Sequence, residues 1–225
     1  QNKAENGSCI VATDASANGL KVINCVFEKN ETDTRCSGVY ATALNGLEIR
    51  NCIFQNNKSV RGTIYPFNST NVVIDNCIFQ NNEHKLAGSG ANLFVFDSDF
   101  TVTNSQFKNN TSGNSAGIYI SNALATKSFN IKKNLFEGNV ATDYGGTCIQ
   151  TFGGNLTVDS CTFLNNTAPS SGAALYNGNN TNFTVSNSHF EGHTGNYAPV
   201  AANYGTNCIG SYVNCVFKNN AATNG

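Results

Sequence analysis

The chain has 225 residues, of which only 12% are charged, about half the ~25% that is typical of globular domains. Its formal net charge of −1 gives the chain no overall basic character, so the composition argues against nucleic acid as a partner and against attachment to an anionic membrane. No apolar run approaches the ~18 residues of a membrane-spanning helix. Asparagine is the compositional outlier, with 38 residues.

A short motif centred on phenylalanine repeats along the whole chain. In seven of its eight copies Asn stands three residues after the Phe, and His193 is the exception. The spacing between copies is 25 to 29 residues, and the repeated residues are Phe27, Phe54, Phe79, Phe107, Phe136, Phe163, Phe190 and Phe217. A period of this length indicates a solenoid, in which each repeat buries its apolar face against its neighbours.

The elements follow the same order within each repeat, and the third copy illustrates it. A segment that starts with a glycine, Gly62-Thr-Ile-Tyr, predicts a first short strand. Alternating apolar residues at Val72 and Ile74 predict a second strand with one buried face. Asn76 predicts a bend, because Asn side chains bond local backbone and tolerate unusual dihedral angles. The Phe then lies on a third strand, and a second corner is expected at Asn82.

Three short strands per repeat, separated by Asn and Gly corners, predict an all-β fold. The predicted architecture is a right-handed parallel β-helix of about eight coils of ~27 residues, forming a single domain over residues 1–225. A leucine-rich repeat or an α-solenoid would need helical segments, and the sequence shows no amphipathic helix. The first and last residues fall in the same part of the repeat, which predicts a segment of a longer solenoid or one protomer of an end-to-end filament.

The paired motifs Phe-x-x-Asn and Gly-Gly-Ala-Ile resemble the repeats of the polymorphic outer membrane protein family of chlamydiae. The second motif is looser here: Gly145-Gly146-Thr-Cys is close to it, Ser171-Gly172-Ala-Ala is near, and Ala198-Pro-Val-Ala departs from it. The repeats cover essentially the whole chain. The resemblance implies a secreted, surface-exposed β-helix of the adhesin type, and it implies nothing about how such a protein would be anchored.

Small residues occupy the position two before each Phe, and five of them are cysteines. We predict that this column is a core ladder, because in-register neighbours lie ~4.8 Å apart, beyond the ~3.5–4.5 Å between Cβ atoms that a disulfide requires. A straight ladder also cannot offer tetrahedral metal geometry, so neither a metal nor another cofactor is expected. Cys9 and Cys36 stand at matching positions of adjacent coils and are the candidate disulfide.

Carboxylates do not cluster in the way that polysaccharide cleavage requires. That chemistry needs acidic residues on adjacent coils, as calcium ligands or as a catalytic pair. In the outward position four before the Phe, Asp75 and Asp159 lie on coils that are not neighbours. No catalytic residue is therefore predicted, and a polysaccharide lyase or hydrolase is kept as the alternative. An ice-binding solenoid is a further alternative, which the interrupted row of Thr101, Thr157 and Thr184 disfavours.

Asn-x-Ser/Thr sequences make N-glycosylation a candidate modification. The ten acceptor positions are Asn6, Asn30, Asn57, Asn68, Asn109, Asn110, Asn155, Asn165, Asn179 and Asn182. Five of these follow a repeated Phe and are expected on one exposed edge, namely Asn30, Asn57, Asn109, Asn110 and Asn165. They would carry a row of glycans in a eukaryotic secretory protein, and they would be bare corner residues in a bacterial one.

These patterns predict a non-enzymatic structural or adhesive β-helix, located outside the cell or on its surface. It would act as a head-to-tail fibre subunit that carries N-glycans. The expected partners are further coils at its ends, by self-association or by continuation of the chain, and glycans or host and cell-surface ligands along its sides. Neither nucleic acid nor a direct membrane span is expected.

Overall fold

The computed structural model describes residues 3–4, 9–85, 90–121, 124, 126–143, 146–170 and 172–224. The chain winds through successive coils, and equivalent strands of consecutive coils pair in parallel. They build four sheets along the molecule, which we name A, B, C and D in the order in which the chain meets them. The architecture is an all-β parallel solenoid of about eight coils, which confirms the predicted fold.

The strands are short in every sheet. Sheet A contains Lys3–Ala4, Glu31–Thr32, Lys58–Ser59, Glu83–His84, Thr111–Ser112 and Val140–Ala141, and the pair Thr194–Gly195 and Ala221–Ala222 continues it. Sheet B contains Ile10–Thr13, Cys36–Thr42, Gly62–Phe67, Ala91–Phe96, Ile118–Ser121, Ile149–Thr151, Leu175–Asn177 and Ala201–Asn203. Sheet C contains Lys21–Ile23, Glu48–Arg50, Val72–Asp75, Phe100–Thr103, Ser128–Lys132, Gly154–Asp159, Thr181–Ser186 and Ile209–Val213. Sheet D contains Val26–Glu28, Ile53–Gln55, Ile78–Gln80, Gln106–Lys108, Leu135–Glu137, Thr162–Leu164, His189–Glu191 and Val216–Lys218. A single turn of 3₁₀-helix spans Ala15–Ala17.

The structure has four strands in most coils, where the sequence predicted three. The additional strand is the two-residue strand of sheet A, which follows the Phe-bearing strand of sheet D. Lys58, for example, pairs with Glu31 on one side and with Glu83 on the other. A strand of two residues is too short to show the alternation by which the other three were recognised.

The repeated phenylalanines form one column inside sheet D. Phe54 pairs in register with Phe27 and with Phe79, and the same pairing continues to Phe217. Neighbouring ring centroids are 4.6 to 5.1 Å apart, and the ring planes differ by 4° to 10°. Inward residues of sheets B and C pack against this column and complete one continuous core. The central rings of the column are fully buried.

Asparagine serves two different purposes at the corners. Three residues before the Phe, residues such as Asn51 and Asn76 adopt φ of 50° to 55°, a left-handed conformation that Asn tolerates better than most residues. Lys133 and Ser160 hold the same conformation in two of the coils. The sharp bend that connects sheets C and D is therefore where the sequence predicted it.

The asparagines three residues after the Phe do not form the second corner. The residue before each of them has the positive φ, as at Asn109, and the following asparagine points into the interior. The backbone N–H of Asn139 donates to Oδ1 of Asn166 (2.9 Å), and Nδ2 of Asn139 donates to the carbonyl oxygen of Phe107 (2.9 Å). This buried ladder satisfies main-chain groups at the turn, which would otherwise be costly to bury.

Candidate binding surface on sheet B

Aromatic side chains form a continuous strip on the outer surface of sheet B, apart from the solenoid core. We call this surface the aromatic strip. It is defined by the described residues Tyr40, Tyr65, Phe67, Phe94, Phe96, Tyr119, Phe152 and Tyr176. The strip crosses six consecutive coils, so it follows the long axis of the rod.

Strand alternation places these rings on the outside. In Gly62–Phe67, Ile64 points into the core, and its neighbour Tyr65 therefore lies on the opposite face of the sheet. The strand can approach its neighbour closely because it starts with a glycine. A Cβ on Gly62 would lie 2.8 Å from the carbonyl oxygen of Ala91.

Each ring of the strip contacts the ring of the next coil. The centroid distances are 5.4 Å from Tyr40 to Tyr65, 4.9 Å from Tyr65 to Phe94 and 5.2 Å from Phe94 to Tyr119. Beyond Tyr119 the contacts continue through Phe152 at 6.0 Å. Pairs of aromatic rings at such distances attract each other beyond the area that they bury, so the strip is an ordered surface.

The strip has a buried centre and a half-exposed border. Tyr65 and Phe94 are only 3% and 4% exposed, whereas Phe67, Phe96 and Tyr119 are half-buried. Burial raises the pKa of the Tyr65 and Tyr119 hydroxyls above the ordinary tyrosine value. Both phenols therefore stay neutral at physiological pH and present hydroxyl groups beside apolar ring faces.

Two arginines lie on the aromatic strip at its N-terminal end. The guanidinium carbon of Arg35 is 4.9 Å from the ring centroid of Tyr40, and its Nη1 donates to the Tyr40 hydroxyl (2.6 Å). The guanidinium carbon of Arg61 is 5.9 Å from the centroid of Tyr65 and 5.8 Å from that of Phe94. Cation–π attraction of this kind holds a charged group in place while leaving it in contact with solvent. Both arginines are exposed.

The third arginine of the chain is in a different situation. Arg50, on the outer surface of sheet C, is paired with Glu48 and with Asp75, whose Oδ2 lies 2.7 Å from its Nη1. Within the part of the chain that the structure describes, neither Arg35 nor Arg61 makes an ion pair with a carboxylate. The aromatic strip therefore carries two positive charges that the fold itself does not neutralise.

The two carboxylates in the outward position of sheet C, Asp75 and Asp159, lie on separate coils, and both are occupied by structural contacts. Asp75 accepts hydrogen bonds from Thr103 Oγ1 (2.6 Å) and Asn104 Nδ2 (2.8 Å), and these contacts hold its pKa below the ordinary value. Asp159 lies three coils beyond Asp75. It accepts hydrogen bonds from Ser186 and Asn187 of the next coil, and these contacts also lower its pKa. No group of three or more His, Cys, Asp or Glu side chains converges among the described residues.

A shallow groove follows the corner between sheets C and D. One section, of about 210 Å³, is lined by Asn51, Cys52, Asn76 and Cys77 among others, and a further section of about 340 Å³ lies around Lys133. Burial raises the pKa of the Cys77 thiol to about 12. This thiol is therefore protonated at neutral pH and is a poor nucleophile.

The candidate disulfide does not form. Sγ of Cys9 donates to the carbonyl oxygen of Ser37 (3.4 Å) and is not bonded to Cys36. Burial is the main cause that raises the pKa of the Cys36 thiol to about 12. Equal distance from a repeated Phe placed the two cysteines on neighbouring coils, but one side chain is exposed and the other is buried.

The sequence predicted that five glycosylation acceptors lie on one exposed edge, and this prediction is wrong for three of them. Asn30, Asn57 and Asn110 belong to the buried asparagine ladder, and their side-chain amides are within the solenoid. Asn109 and Asn165 occupy the preceding, outward position and are exposed.

The remaining acceptors divide in the same way. Asn68, Asn179 and Asn182 are exposed, whereas Asn155 is half-buried and donates through Nδ2 to the carbonyl oxygen of Lys127 (3.1 Å). Asn6 lies outside the described residues. The folded chain therefore offers an acceptor amide mainly at corners and on the outer face of sheet C.

The aromatic strip was not predicted from the sequence, because its residues are irregularly spaced along the chain. Tyr40, Tyr65 and Phe94 stand 13, 11 and 15 residues after their preceding repeated Phe, since the turns between sheets A and B differ in length. A usable signal existed in the aromatic residue two or three positions after a glycine, as in Gly38-Val-Tyr40 and Gly62-Thr-Ile-Tyr65.

Comparison with known proteins identifies the fold family. A family profile described as the right handed beta helix region matches residues 1–155, which is more than half of the chain. Neither the comparison with curated proteins nor the comparison with solved structures gave a match. The described residues contain no helix of the length and apolar character needed to cross a membrane. With four parallel sheets wound around one aromatic core, the chain belongs to the right-handed β-helix region family.

Proposed function

We propose that this chain is a non-enzymatic structural and adhesive β-helix that acts outside the cell or on its surface. The aromatic strip is its ligand-binding surface. The observation that carries the proposal is the continuous row of eight aromatic rings on the outer surface of sheet B, six of which are half-exposed. A solenoid of this size already has a continuous core, so the strip is not needed to hold the coils together.

The strip has the physical properties of a binding surface. Aromatic rings provide a large contact area and lose little conformational entropy on binding, because they have only two side-chain torsions. The paired strands of sheet B fix the position of each ring along the rod. A ligand would therefore meet a preorganised surface, which lowers the cost of association.

Two observations favour binding without catalysis. Asp75 and Asp159 are three coils apart and are held ionised by their own hydrogen bonds, so they do not form an acid and base pair. The buried cysteines lack the lowered pKa of a catalytic thiol. The resemblance to the chlamydial outer membrane protein repeats supports an adhesin type within the β-helix family.

We also propose that a further coil covers the last described one, by continuation of the chain or by a second molecule. Phe217 is the final ring of the core column and is 51% exposed. Ile209 and Val216 lie on the same coil and are also exposed. An uncovered coil leaves apolar surface and unpaired strand edges, which favour further parallel pairing.

Binding to intact cells and to a panel of immobilised polysaccharides tests the function. We expect the double variant Phe67→Ala/Phe96→Ala to lose most of the binding of the unmodified protein. The matched control is Thr157→Ala/Thr184→Ala on the outer surface of sheet C, which should bind normally. Equal binding by the two variants would place the ligand elsewhere, and release of cleaved sugar from any polysaccharide would contradict the absence of catalysis.

A further inference from the structure

We propose that the N-terminal end of the aromatic strip binds an acidic polysaccharide. Its sugar rings lie along the half-exposed aromatic rings, and its carboxylate or sulfate groups contact Arg35 and Arg61. This inference rests on the proposed function, since it takes the aromatic strip as the binding surface and adds the chemistry of the ligand.

The two arginines form one positive site. The backbone N–H of Arg61 donates to the carbonyl oxygen of Arg35 (2.9 Å), so the two residues hold equivalent positions on neighbouring coils. Neighbouring strands lie ~4.8 Å apart, so the two arginines place like charges on adjacent coils of one outer face, and such charges favour an anion beside them. Nearby acidic residues are engaged elsewhere, because Glu31 and Asp33 contact the Lys85 ammonium.

Each guanidinium is oriented and retains donors for a ligand. Arg35 uses Nη1 for the Tyr40 hydroxyl, and Arg61 uses Nη1 for the Tyr65 hydroxyl (3.3 Å). A guanidinium has five N–H donors, so one hydrogen bond to a tyrosine leaves further donors for a ligand on each exposed arginine. Two parallel N–H groups match the oxygens of a carboxylate or a sulfate, and this geometry is stronger and more specific than a contact with lysine.

The strip favours a sugar chain over a peptide. Over the length of the strip, each strand of sheet B pairs with a strand on both sides. Its main-chain donors and acceptors are therefore used within the sheet, and an extended peptide cannot add there as a further strand. Recognition depends on side chains alone, and flat sugar rings with one apolar face can lie on aromatic rings while their hydroxyls contact Tyr40 or Tyr119.

The length of the strip favours a polymer. Six consecutive coils contribute rings, from Tyr40 to Tyr176. At ~4.8 Å per coil they span roughly 24 Å, which is longer than one sugar unit. The charged end and the longer neutral part therefore suit a chain that carries acidic groups on some of its units.

Calorimetric titration with four defined polymers tests the inference. The probes are polygalacturonate, heparin, neutral dextran and polyglutamate. We expect binding of one or both acidic polysaccharides and a loss of about tenfold or more in affinity for R35Q/R61Q. The matched control K132Q/K133Q removes the same charge from exposed lysines at the end of a sheet C strand and in the bend after it. It should bind normally, with unchanged circular dichroism for both variants.

The outcomes separate this inference from the proposed function. Equal binding of polyglutamate and the acidic polysaccharides would show that the site recognises only negative charge, and this would overturn the inference. Unchanged affinity of R35Q/R61Q for an acidic polysaccharide would overturn it as well. If F67A/F96A loses binding to dextran or to cells while R35Q/R61Q does not, the proposed function stands and the acidic ligand fails. If F67A/F96A binds every ligand normally, both fail.

Discussion

Two columns of aromatic rings run along this molecule, and their surroundings differ. The phenylalanines of sheet D stack inside the solenoid with centroids 4.6 to 5.1 Å apart and nearly parallel planes. The rings of the aromatic strip lie outside sheet B, with centroids 4.8 to 6.1 Å apart and interplanar angles between 10° and 79°. The interior column is uniform and the outer strip is irregular.

The difference reflects two roles: the interior rings fill the core, whereas the outer rings can contact a ligand. Inside the solenoid every ring must fill the same space, because protein interiors are close-packed and tolerate few voids. On the outer face a ring can tilt, and the polar residue Gln150 takes the register position of Tyr119 in the next coil. We therefore expect changes in the interior column to affect stability and changes in the aromatic strip to affect binding.

The largest effect expected from a single substitution comes from opening the interior column. Phe107 is fully buried and stacks on Phe79 (4.7 Å) and Phe136 (4.8 Å). Phe107→Ala removes both contacts and leaves a cavity, so the free energy of unfolding should fall by about 3–5 kcal/mol. Denaturation with urea measures it, and an unchanged midpoint would contradict the role of the column.

The next effect in size is expected at acidic pH, which should lower the stability of the folded chain. Burial lowers the pKa of His84 and His193 to about 4, compared with ~6.5 in an unfolded chain. The unfolded chain therefore binds protons that the folded chain excludes, and stability falls as the pH drops from about 6.5 to about 4. The loss should approach about 3 kcal/mol for each histidine at the lower end of this range.

His193 offers a matched control for the acid effect. Its Nδ1 accepts the backbone N–H of Asn166 (3.1 Å), which a protonated ring nitrogen cannot do. Asparagine occupies this ladder position in the adjacent coils, at Asn166 and Asn220. His193→Asn should keep the ladder and remove about half of the stability difference between pH 7.5 and pH 4.5. An identical pH profile would show that this histidine does not carry the effect.

A smaller change is expected in the aromatic strip. Phe96 is half-buried and stacks on Phe67 at 4.8 Å. Phe96→Ala should lower the free energy of unfolding by about 1 kcal/mol, the scale of one aromatic pair, and should weaken ligand binding more clearly than Phe107→Ala does at a temperature where both fold. A loss as large as that of Phe107→Ala would mean that the strip belongs to the structural core.

Glycan attachment should have the smallest effect on stability. It also tests which residue of one Asn-Asn dipeptide lies outside the solenoid and which lies inside. Asn109 and Asn110 are both acceptors by sequence, but only Asn109 is exposed. After secretion from a eukaryotic host, peptide mapping should find glycans at Asn109 and Asn165 and none at Asn57 or Asn110. A glycan on Asn110 in folded protein would be incompatible with the buried ladder.

The repeat was sufficient to predict the fold because a solenoid converts sequence period into spatial contact. Phe54 and Phe79 are 25 residues apart in the chain and become direct neighbours in sheet D. The bend at Asn76 also followed from residue type, since Asn tolerates a left-handed conformation. The short strand of sheet A could not be predicted, because two residues carry no periodic pattern.

The sequence alone determined the parallel β-helix, the phenylalanine column and the bends before it, because these depend on local residue types repeated at a constant interval. Only the tertiary structure decided which residue of each Asn pair lies inside, as at Asn109 and Asn110. It also decided which aromatic residues meet outside sheet B, since turns of unequal length shift Tyr65 and Phe94 in the sequence and chain pairing restores their alignment. Side-chain direction and alignment across coils arise from backbone hydrogen bonding between distant segments, which a local pattern does not encode.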